Sequence, residues 1–273
     1  MKKINLIKLI ITVFVISWIG VLPSLLLAYN IDIPNFLKHL EHLMTLGPIL
    51  GAIIFVYKAQ GKQGLKNLFK RLIYIKAKPI VIAIAVLSPI VYSYLAAKIG
   101  FMLSDSEWPS SFNTSTIISN GIMIFVMYLI VNTEEIAWRG VVFDKLFKKY
   151  NFLKACSIIA PIWWLFHIPL FLFPDGHPGG YGILGFTIIV IAQTIILGWI
   201  YVNSNRSLFY THIHHQLING FGQAFPIFPA LIGDNMLPFW CFVTIMLLIA
   251  FILLIIMLKE SKMFKPKTKK ILN

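Results

Sequence analysis

Long apolar stretches without a charged side chain recur along the chain, and short segments between them carry most of the charges. Eight stretches contain no Lys, Arg, Asp or Glu: 9–29, 43–57, 79–97, 108–133, 155–174, 178–205, 207–233 and 235–258. A helix needs about 20 apolar residues to cross a bilayer, and these runs are too long and continuous for barrel strands. The pattern predicts an all-α, polytopic membrane protein with about eight transmembrane helices, and the second run is the shortest.

The composition excludes a soluble helical domain. Hydrophobic residues make up 58% of the 273 positions and charged residues 12%, whereas a soluble domain carries about 25% charged residues. The mean hydropathy is +0.82. Cys156 and Cys241 lie in or beside predicted spans, so we interpret them as packing residues, with no disulfide or metal site implied.

Basic side chains concentrate in alternate loops. Of the 24 Lys and Arg residues, 22 fall at the N-terminus, in 58–78, at 139, in 145–154, at 206 and in the tail from 259. The other loops hold the acids Asp32, Glu41, Asp105, Glu107, Asp175 and Asp234. The positive-inside rule then predicts a multi-pass plasma-membrane protein with both termini cytoplasmic. The net charge of +14 is balanced by lipid headgroups and requires no nucleic acid, and the preference for lysine over arginine suggests a bacterial source.

The chain is expected to form one membrane domain in three parts. Residues 1–115 would hold the N-terminal helices and a basic loop, and the first helix would stay in the protein and not be cleaved as a signal peptide. Residues 116–225 would form the core with the polar motifs. Residues 226–273 would form the last helix and the tail. Within 58–78, four apolar residues share one helical face: Leu65, Leu68, Phe69 and Leu72. This segment is either an amphipathic helix on the inner leaflet or an ordinary basic loop.

Ionisable side chains inside apolar segments are costly and usually mark functional sites. They occur in three groups: Glu134, Glu135 and Arg139; His167; and His212, His214 and His215 with the polar Asn219. A spacing of four residues places each of three pairs on a single helical face: Glu135 with Arg139, Trp163 with His167, and His215 with Asn219. Glu134 points about 100° away from Glu135. Three helices can therefore each direct a polar face toward one shared site.

These side chains suit hydrolysis of a carbonyl compound without a covalent intermediate. A carboxylate can take a proton from water, and imidazole and amide N–H groups can stabilise an oxyanion. The same set could instead bind Zn²⁺ through Glu134, His167 and His215, although no HExxH motif is present. We expect no cofactor, with zinc as the alternative. His212 and His214 are expected either to pack or to serve as further ligands.

The motifs EEIAWR (134–139), WWLFH (163–167) and HQLIN (215–219) resemble those of the CPBP family of intramembrane peptidases, relatives of type II CAAX prenyl endopeptidases and of Abi or bacteriocin-processing proteins. Gly140 and Pro169 also fit, while Trp163 stands where Phe is commoner in the family. The resemblance implies that Glu134 activates water beside His167, and that Glu135 and Arg139 support the site. It also implies that His215 and Asn219 form an oxyanion hole.

The leading interpretation is an endopeptidase that cuts a membrane-associated peptide near the cytoplasmic face, in a cavity filled with water from that side. A non-catalytic bacteriocin-immunity or regulatory protein, and a proton-coupled transporter, are the alternatives. The predicted spans place His167 much deeper than Glu134. Either the fifth span therefore begins later, with Pro161 in its first turn, or the segment with Glu134 is itself immersed in the bundle.

Overall fold

The computed structural model describes residues 4–174, 180–233 and 235–263, and those ranges contain helices, turns and loops but no strand. The α-helices are α1 (Leu6–Ala28), α2 (Asn35–Lys38), α3 (His42–Lys70), α4 (Pro79–Ile82), α5 (Ser88–Leu103), α6 (Thr114–Val131), α7 (Glu134–Ala137), α8 (Asp144–Lys149), α9 (Phe152–His167), α10 (Gly182–Asn203), α11 (Leu208–Ala224) and α12 (Leu237–Met263). Two π-helical segments, Ala83–Leu87 and Trp138–Phe143, join α4 to α5 and α7 to α8. Asp175, Asp234 and the tail lysines beyond Met263 lie outside the described residues.

Seven helical stretches of the described chain are long and apolar enough to cross a membrane. They are Leu6–Ala28, Asn35–Ile73, Pro79–Leu103, Thr114–Val131, Phe152–Phe171, Gly182–Asn203 and Leu237–Lys259. The remaining predicted span, 207–233, contains α11, which has 17 residues and three histidines. This helix packs against α5, α6 and α10, so its polar side chains are screened by neighbouring helices. The all-α polytopic membrane fold is confirmed.

The second predicted span, 43–57, is not a separate short helix. It belongs to α3, which continues into the basic segment and changes direction at Gly61, where φ is 64° and ψ is −161°. Glycine adopts this conformation without the steric cost that other residues meet. Beyond the break the lysines are exposed, and Leu68 is buried against the rest of the protein. Leu68 of the predicted apolar face therefore packs on the bundle, and the segment is a helix and not an ordinary loop.

The chain breaks between α6 and α7, so Glu134 begins a new helix and does not end the fourth span. Asn132 has an extended backbone, and its side-chain oxygen accepts a hydrogen bond from the Glu134 N–H at 3.0 Å. The Thr133 hydroxyl accepts the Ile49 N–H at 3.3 Å and donates to the Thr45 carbonyl. The hydroxyl thus lies between two backbone groups of α3 that would otherwise pair with each other, next to Pro48. Such an insertion is a known cause of helix bending, and it links the break at 132–133 to α3.

Residues 134–167 fold back on themselves around a basic turn at Tyr150. One arm runs from Glu134 to Lys149 and the other from Phe152 to His167, so the arms have the same number of residues and lengths of about 24 Å. Glu134 and His167 consequently lie side by side. Two explanations were open for the apparent difference in depth between Glu134 and His167. A later start of the fifth span does not apply, because α9 already begins at Phe152, where Asn151 caps it. The segment with Glu134 is therefore the part that lies inside the bundle. Pro161 lies in the middle of this helix, and its expected place in the first turn was wrong.

Two glycines allow α6 and α11 to pack closely in antiparallel orientation. A Cβ atom added to Gly220 would lie 2.7 Å from the carbonyl oxygen of Gly121 and 2.9 Å from the Cβ of Phe125. Small residues at such crossings let the backbones of membrane helices approach each other. This contact fixes the axial position of α11, the helix that carries His215 and Asn219.

Substitution of Gly220 by alanine is expected to lower the free energy of unfolding by about 1–3 kcal/mol, because the two backbones must move apart. Gly222 provides a matched control on the same helix, since its added Cβ would meet no atom closer than 3.9 Å. Gly222→Ala should raise stability by up to about 1 kcal/mol through helix propensity. Thermal unfolding of both variants in detergent measures the difference, and equal shifts would contradict the close approach.

Candidate active site

The Glu134 carboxylate is buried, with 7% of the residue exposed, and three side chains orient it. Its Oε2 atom accepts hydrogen bonds from the indole N–H groups of Trp163 at 2.6 Å and Trp138 at 3.2 Å. The Asn132 amide donates to Oε1 at 3.2 Å. A carboxylate has about four acceptor positions, so Oε1 keeps one for a further donor such as water.

His167 lies at the end of α9 and faces Glu134 across a short gap. Its Nδ1 atom is 2.9 Å from the Trp163 carbonyl oxygen, which requires a proton on Nδ1. The other ring nitrogen, Nε2, is 3.8 Å from Oε2 of Glu134, too far for a direct hydrogen bond. A single small molecule could contact both atoms, so the carboxylate and the imidazole can act on one reactant.

Glu135 faces away from Glu134 and joins Arg139 to His215. Its Oε1 atom lies 2.8 Å from Nη1 of Arg139 and 3.0 Å from Nδ1 of His215. Both Glu135 and Arg139 are fully buried, and the guanidinium also lies 4.2 Å from the centre of the Trp163 ring. Glu135 therefore fixes the orientation of the His215 ring and leaves its Nε2 as the nitrogen that can serve a reactant.

One cavity of about 340 Å³ contains Glu134, His167, His215 and Asn219 in its wall. The Asn219 amide donates one hydrogen bond to Gln216 at 3.0 Å, which leaves its second N–H for another acceptor. The rest of the wall is mainly apolar and includes several rings: Tyr128, Trp163, Phe166, Tyr181, Phe186, Phe228 and Phe242. The carboxylate and the two imidazoles thus share one part of a largely apolar chamber.

The other two histidines of α11 bind backbone carbonyls outside this cavity. His212 Nε2 lies 3.0 Å from the Leu129 carbonyl oxygen of α6. His214 is fully buried, and its Nδ1 lies 3.2 Å from the carbonyl oxygen of Ala85 in the first π-helical segment. Both side chains hold neighbouring helices together, which corresponds to the packing alternative.

The groups around Glu134 bear on whether the site could hold a metal ion. Among the residues described, no group of three or more His, Cys, Asp and Glu side chains is arranged to hold one. Two indole N–H groups donate to Oε2 of Glu134, so protein donors already use the acceptor positions of this oxygen. Cys156 and Cys241 are both free thiols, and neither lines the cavity.

Sequence reasoning missed two of the three side chains that orient Glu134. Trp138 is four residues after Glu134, so the helical spacing that paired Glu135 with Arg139 could have identified it. Asn132 had no such signal, because its contact depends on the break in the helix at 132–133. Trp163 was expected as an aromatic wall, and its role as a hydrogen-bond donor to the carboxylate became visible only in three dimensions.

Replacement of Trp163 by phenylalanine is expected to lower the free energy of unfolding by about 1.5–3 kcal/mol, because a hydrogen bond to a buried charge is lost. Cleavage activity should also fall, since the carboxylate loses a group that orients it. The neighbouring Trp164 donates to the neutral Thr187 hydroxyl, so Trp164→Phe should cost about 1 kcal/mol and leave activity unchanged. Thermal unfolding and cleavage assays of both variants test this difference.

Comparisons with known proteins find similar sequences for the segment that contains these residues. Residues 116–221 match the family described as type II CAAX prenyl endopeptidase Rce1-like. The chain is also 25% identical over 186 residues to CAAX prenyl protease 2 of Methanococcus maripaludis, and this alignment covers 64% of the chain and 68% of that relative. The matched segment contains all six polar residues of the site. The central part of the chain is therefore similar to the Rce1-like type II CAAX prenyl endopeptidases, and the two comparisons support an intramembrane endopeptidase.

Proposed function

We propose that the protein hydrolyses a peptide bond of a membrane-associated peptide by means of a water molecule that Glu134 activates. The observation that carries this proposal is the 3.8 Å separation of Glu134 Oε2 and His167 Nε2 at one end of a cavity that His215 and Asn219 also line. A base, an imidazole and two oxyanion donors are the groups that direct hydrolysis requires.

The reaction would begin with proton transfer from water to the Glu134 carboxylate. The water oxygen attacks the carbonyl carbon of the scissile bond, and the carbonyl oxygen becomes an oxyanion. Glu134 then returns the proton to the nitrogen of the leaving amine as the C–N bond breaks. His167 would contact the same water through Nε2, which lies 3.8 Å from Oε2 of Glu134, and would limit its orientation.

His215 and Asn219 would stabilise the oxyanion. The Nδ1 atom of His215 contacts Glu135, so a protonated ring directs its second N–H, on Nε2, toward the reactant. The contact with Glu135 fixes the orientation of this ring. One N–H of Asn219 supplies the second hydrogen bond. Loss of such a donor typically lowers the rate by about 10²–10³-fold.

The apolar wall of the cavity suits aliphatic or aromatic groups next to the scissile bond. A membrane-associated peptide such as a leader, a pheromone precursor or a bacteriocin-like peptide has this character. The relative from Methanococcus maripaludis carries the name CAAX prenyl protease 2, so a prenylated peptide with a CAAX terminus is included among the substrates to be tested.

Peptide profiling of membranes tests the function and identifies candidate substrates in the same experiment. Cells that express the wild-type chain or Glu134→Gln at equal levels are compared by mass spectrometry. Peptides cut only by the wild-type protein support the proposal, and candidates are then assayed with the purified enzyme, with and without a prenyl group. Identical peptide profiles, together with no cleavage by purified protein, would reject it.

The two alternatives predict different results. A non-catalytic immunity or regulatory protein would keep its phenotype in cells after replacement of Glu134 and His167. A proton-coupled transporter would move solute or protons across proteoliposomes and would lose that flux in the same variants. Glu134, His167, His215 and Asn219 line one cavity, and this clustering suits hydrolysis better than a pathway across the membrane.

Metal removal is expected to leave cleavage unchanged. The two indole donors that use the acceptor positions of Glu134 Oε2 support a site that works without zinc. Cleavage rates are measured before and after dialysis against a strong chelator, and zinc is quantified by elemental analysis of the purified protein. Loss of activity that returns on addition of Zn²⁺ would contradict the expectation and favour the metal alternative.

A further inference from the structure

The catalytic cavity extends from Glu134 toward one end of the bundle. Beyond the polar residues, its wall is formed by residues at one end of four helices and by the loops next to them: Thr45 at the start of α3, Leu170 after α9, Tyr181 before α10, Gln223 near the end of α11, and Phe228 and Leu231 beyond it. Hydrogen bonds and ring contacts hold this end together, including Tyr29 to the Leu172 carbonyl and Tyr181 against Phe228. Leu231, at the rim, is 48% exposed.

The opposite direction is closed by large side chains in the part of the chain described. Trp138, Arg139, Phe143, Tyr201 and Leu208 lie beyond Glu134 on that side, and all have at most 1% of their surface exposed. The rings of Phe143 and Tyr201 pack edge to face at 5.8 Å. No opening of comparable size to the cavity therefore leads from the carboxylate through these residues.

That closed end is also the basic end. Asp144 contacts Lys148 at 2.6 Å, Arg206 at 3.7 Å and Arg71 at 4.0 Å. A separate depression at this end is lined by these residues and by Lys145, and it shares no lining residue with the catalytic cavity. The bundle thus has a polar, cationic end that is sealed from the site, and a second end toward which the cavity runs.

We infer that the peptide reaches Glu134 from the end of the bundle opposite the basic loops, which the positive-inside rule identifies as the outer face of the membrane. The substrate would then be an exported or translocated peptide with apolar residues beside the scissile bond. This route replaces the cytoplasmic entry expected from the sequence. The inference rests on the proposed function for its substrate, but the position of the cavity mouth does not depend on catalysis.

Cysteine labelling from each side of the membrane tests the route. In a background with Cys156 and Cys241 replaced by alanine, three single-cysteine variants are made: Gln223→Cys in the cavity wall, Leu231→Cys at its rim and Lys148→Cys at the basic end as control. Each is exposed to a small charged thiol reagent in right-side-out and inside-out vesicles. Size-exclusion profiles in detergent verify that every variant is folded. If the background without Cys156 and Cys241 is unstable, Leu231→Cys is made in the native-cysteine background and labelled in the same way.

We expect Gln223→Cys and Leu231→Cys to react at least 10-fold faster in right-side-out vesicles, and Lys148→Cys at least 10-fold faster in inside-out vesicles. Reaction of the cavity cysteines from the same side as Lys148→Cys would overturn the inference. So would reaction of Lys148→Cys from outside, or failure of Gln223→Cys to react from either side.

Supplying a cleavable peptide to one side at a time gives a second readout on the native chain. Cleavage only when the peptide is outside supports the route, and cleavage only from inside overturns it. If no peptide is cut from either side while the labelling pattern is as expected, the proposed peptidase function fails and the assigned cavity mouth stands.

Discussion

Replacement of Glu134 by glutamine is expected to lower the rate of peptide cleavage by about 10²–10⁴-fold, the usual contribution of a general base. The amide has nearly the same shape as the carboxylate and can still accept the indole hydrogen bonds through its oxygen. It cannot take a proton from water. The protein should therefore remain folded, with a thermal unfolding midpoint close to that of the wild type, while kcat falls and KM changes little.

A second buried carboxylate provides the control for this experiment. Asp144 accepts a hydrogen bond from Tyr201 at 2.9 Å and lies outside the cavity lining. Asp144→Asn should weaken the contacts with Lys148 and Arg71 and lower stability, but it should not alter the chemistry of cleavage. Full activity of Glu134→Gln, or an equal loss of activity in both variants, would mean that Glu134 is not the base.

Replacement of Arg139 by methionine is expected to lower the free energy of unfolding by about 3–5 kcal/mol, because it leaves the Glu135 carboxylate buried without its charged partner. Three polar atoms of the pair already have no hydrogen-bond partner among the described residues: Glu135 Oε2, Arg139 Nε and Arg139 Nη2. The Glu135–Arg139 ion pair therefore makes few hydrogen bonds to other residues. When one partner is removed, few groups remain to stabilise the buried charge of the other.

The double variant Glu135→Gln/Arg139→Met separates the cost of an unpaired charge from the cost of lost packing. It should be clearly more stable than Arg139→Met, because no net charge remains buried. Denaturant or thermal unfolding in detergent provides the comparison. If both variants lose the same stability, the effect arises from the guanidinium packed on Trp163 and not from the ion pair. Cleavage should fall in both, since His215 loses the group that orients it.

Much of the architecture follows from the sequence because lipid imposes strict rules on length and polarity. Charge-free runs identified most of the spanning helices, and four-residue spacings identified the pairs that share a face. The contact of Glu135 with Arg139 at 2.8 Å is a local consequence of helical geometry. Such contacts do not depend on how the helices are arranged.

Features that depend on packing between helices could not be predicted in this way. The break at Asn132 and Thr133 is stabilised by α3, more than 80 residues away along the chain, and no local pattern signals it. The length of α11 and the burial of its histidines also depend on the helices around it. The expected depth mismatch between Glu134 and His167 arose from treating 108–133 as a straight span that ended before Glu134.

The two arms of nearly equal length around Tyr150 place a constraint on how this protein can evolve. Deleting or adding one residue in either arm would turn its terminal side chain by about 100° around the helix axis and shift it by about 1.5 Å. Substitutions at positions of this interval outside the site preserve the alignment of the carboxylate with the imidazole, whereas insertions and deletions destroy it. Homologous enzymes should therefore vary in residue type at those positions and keep the length of the interval constant.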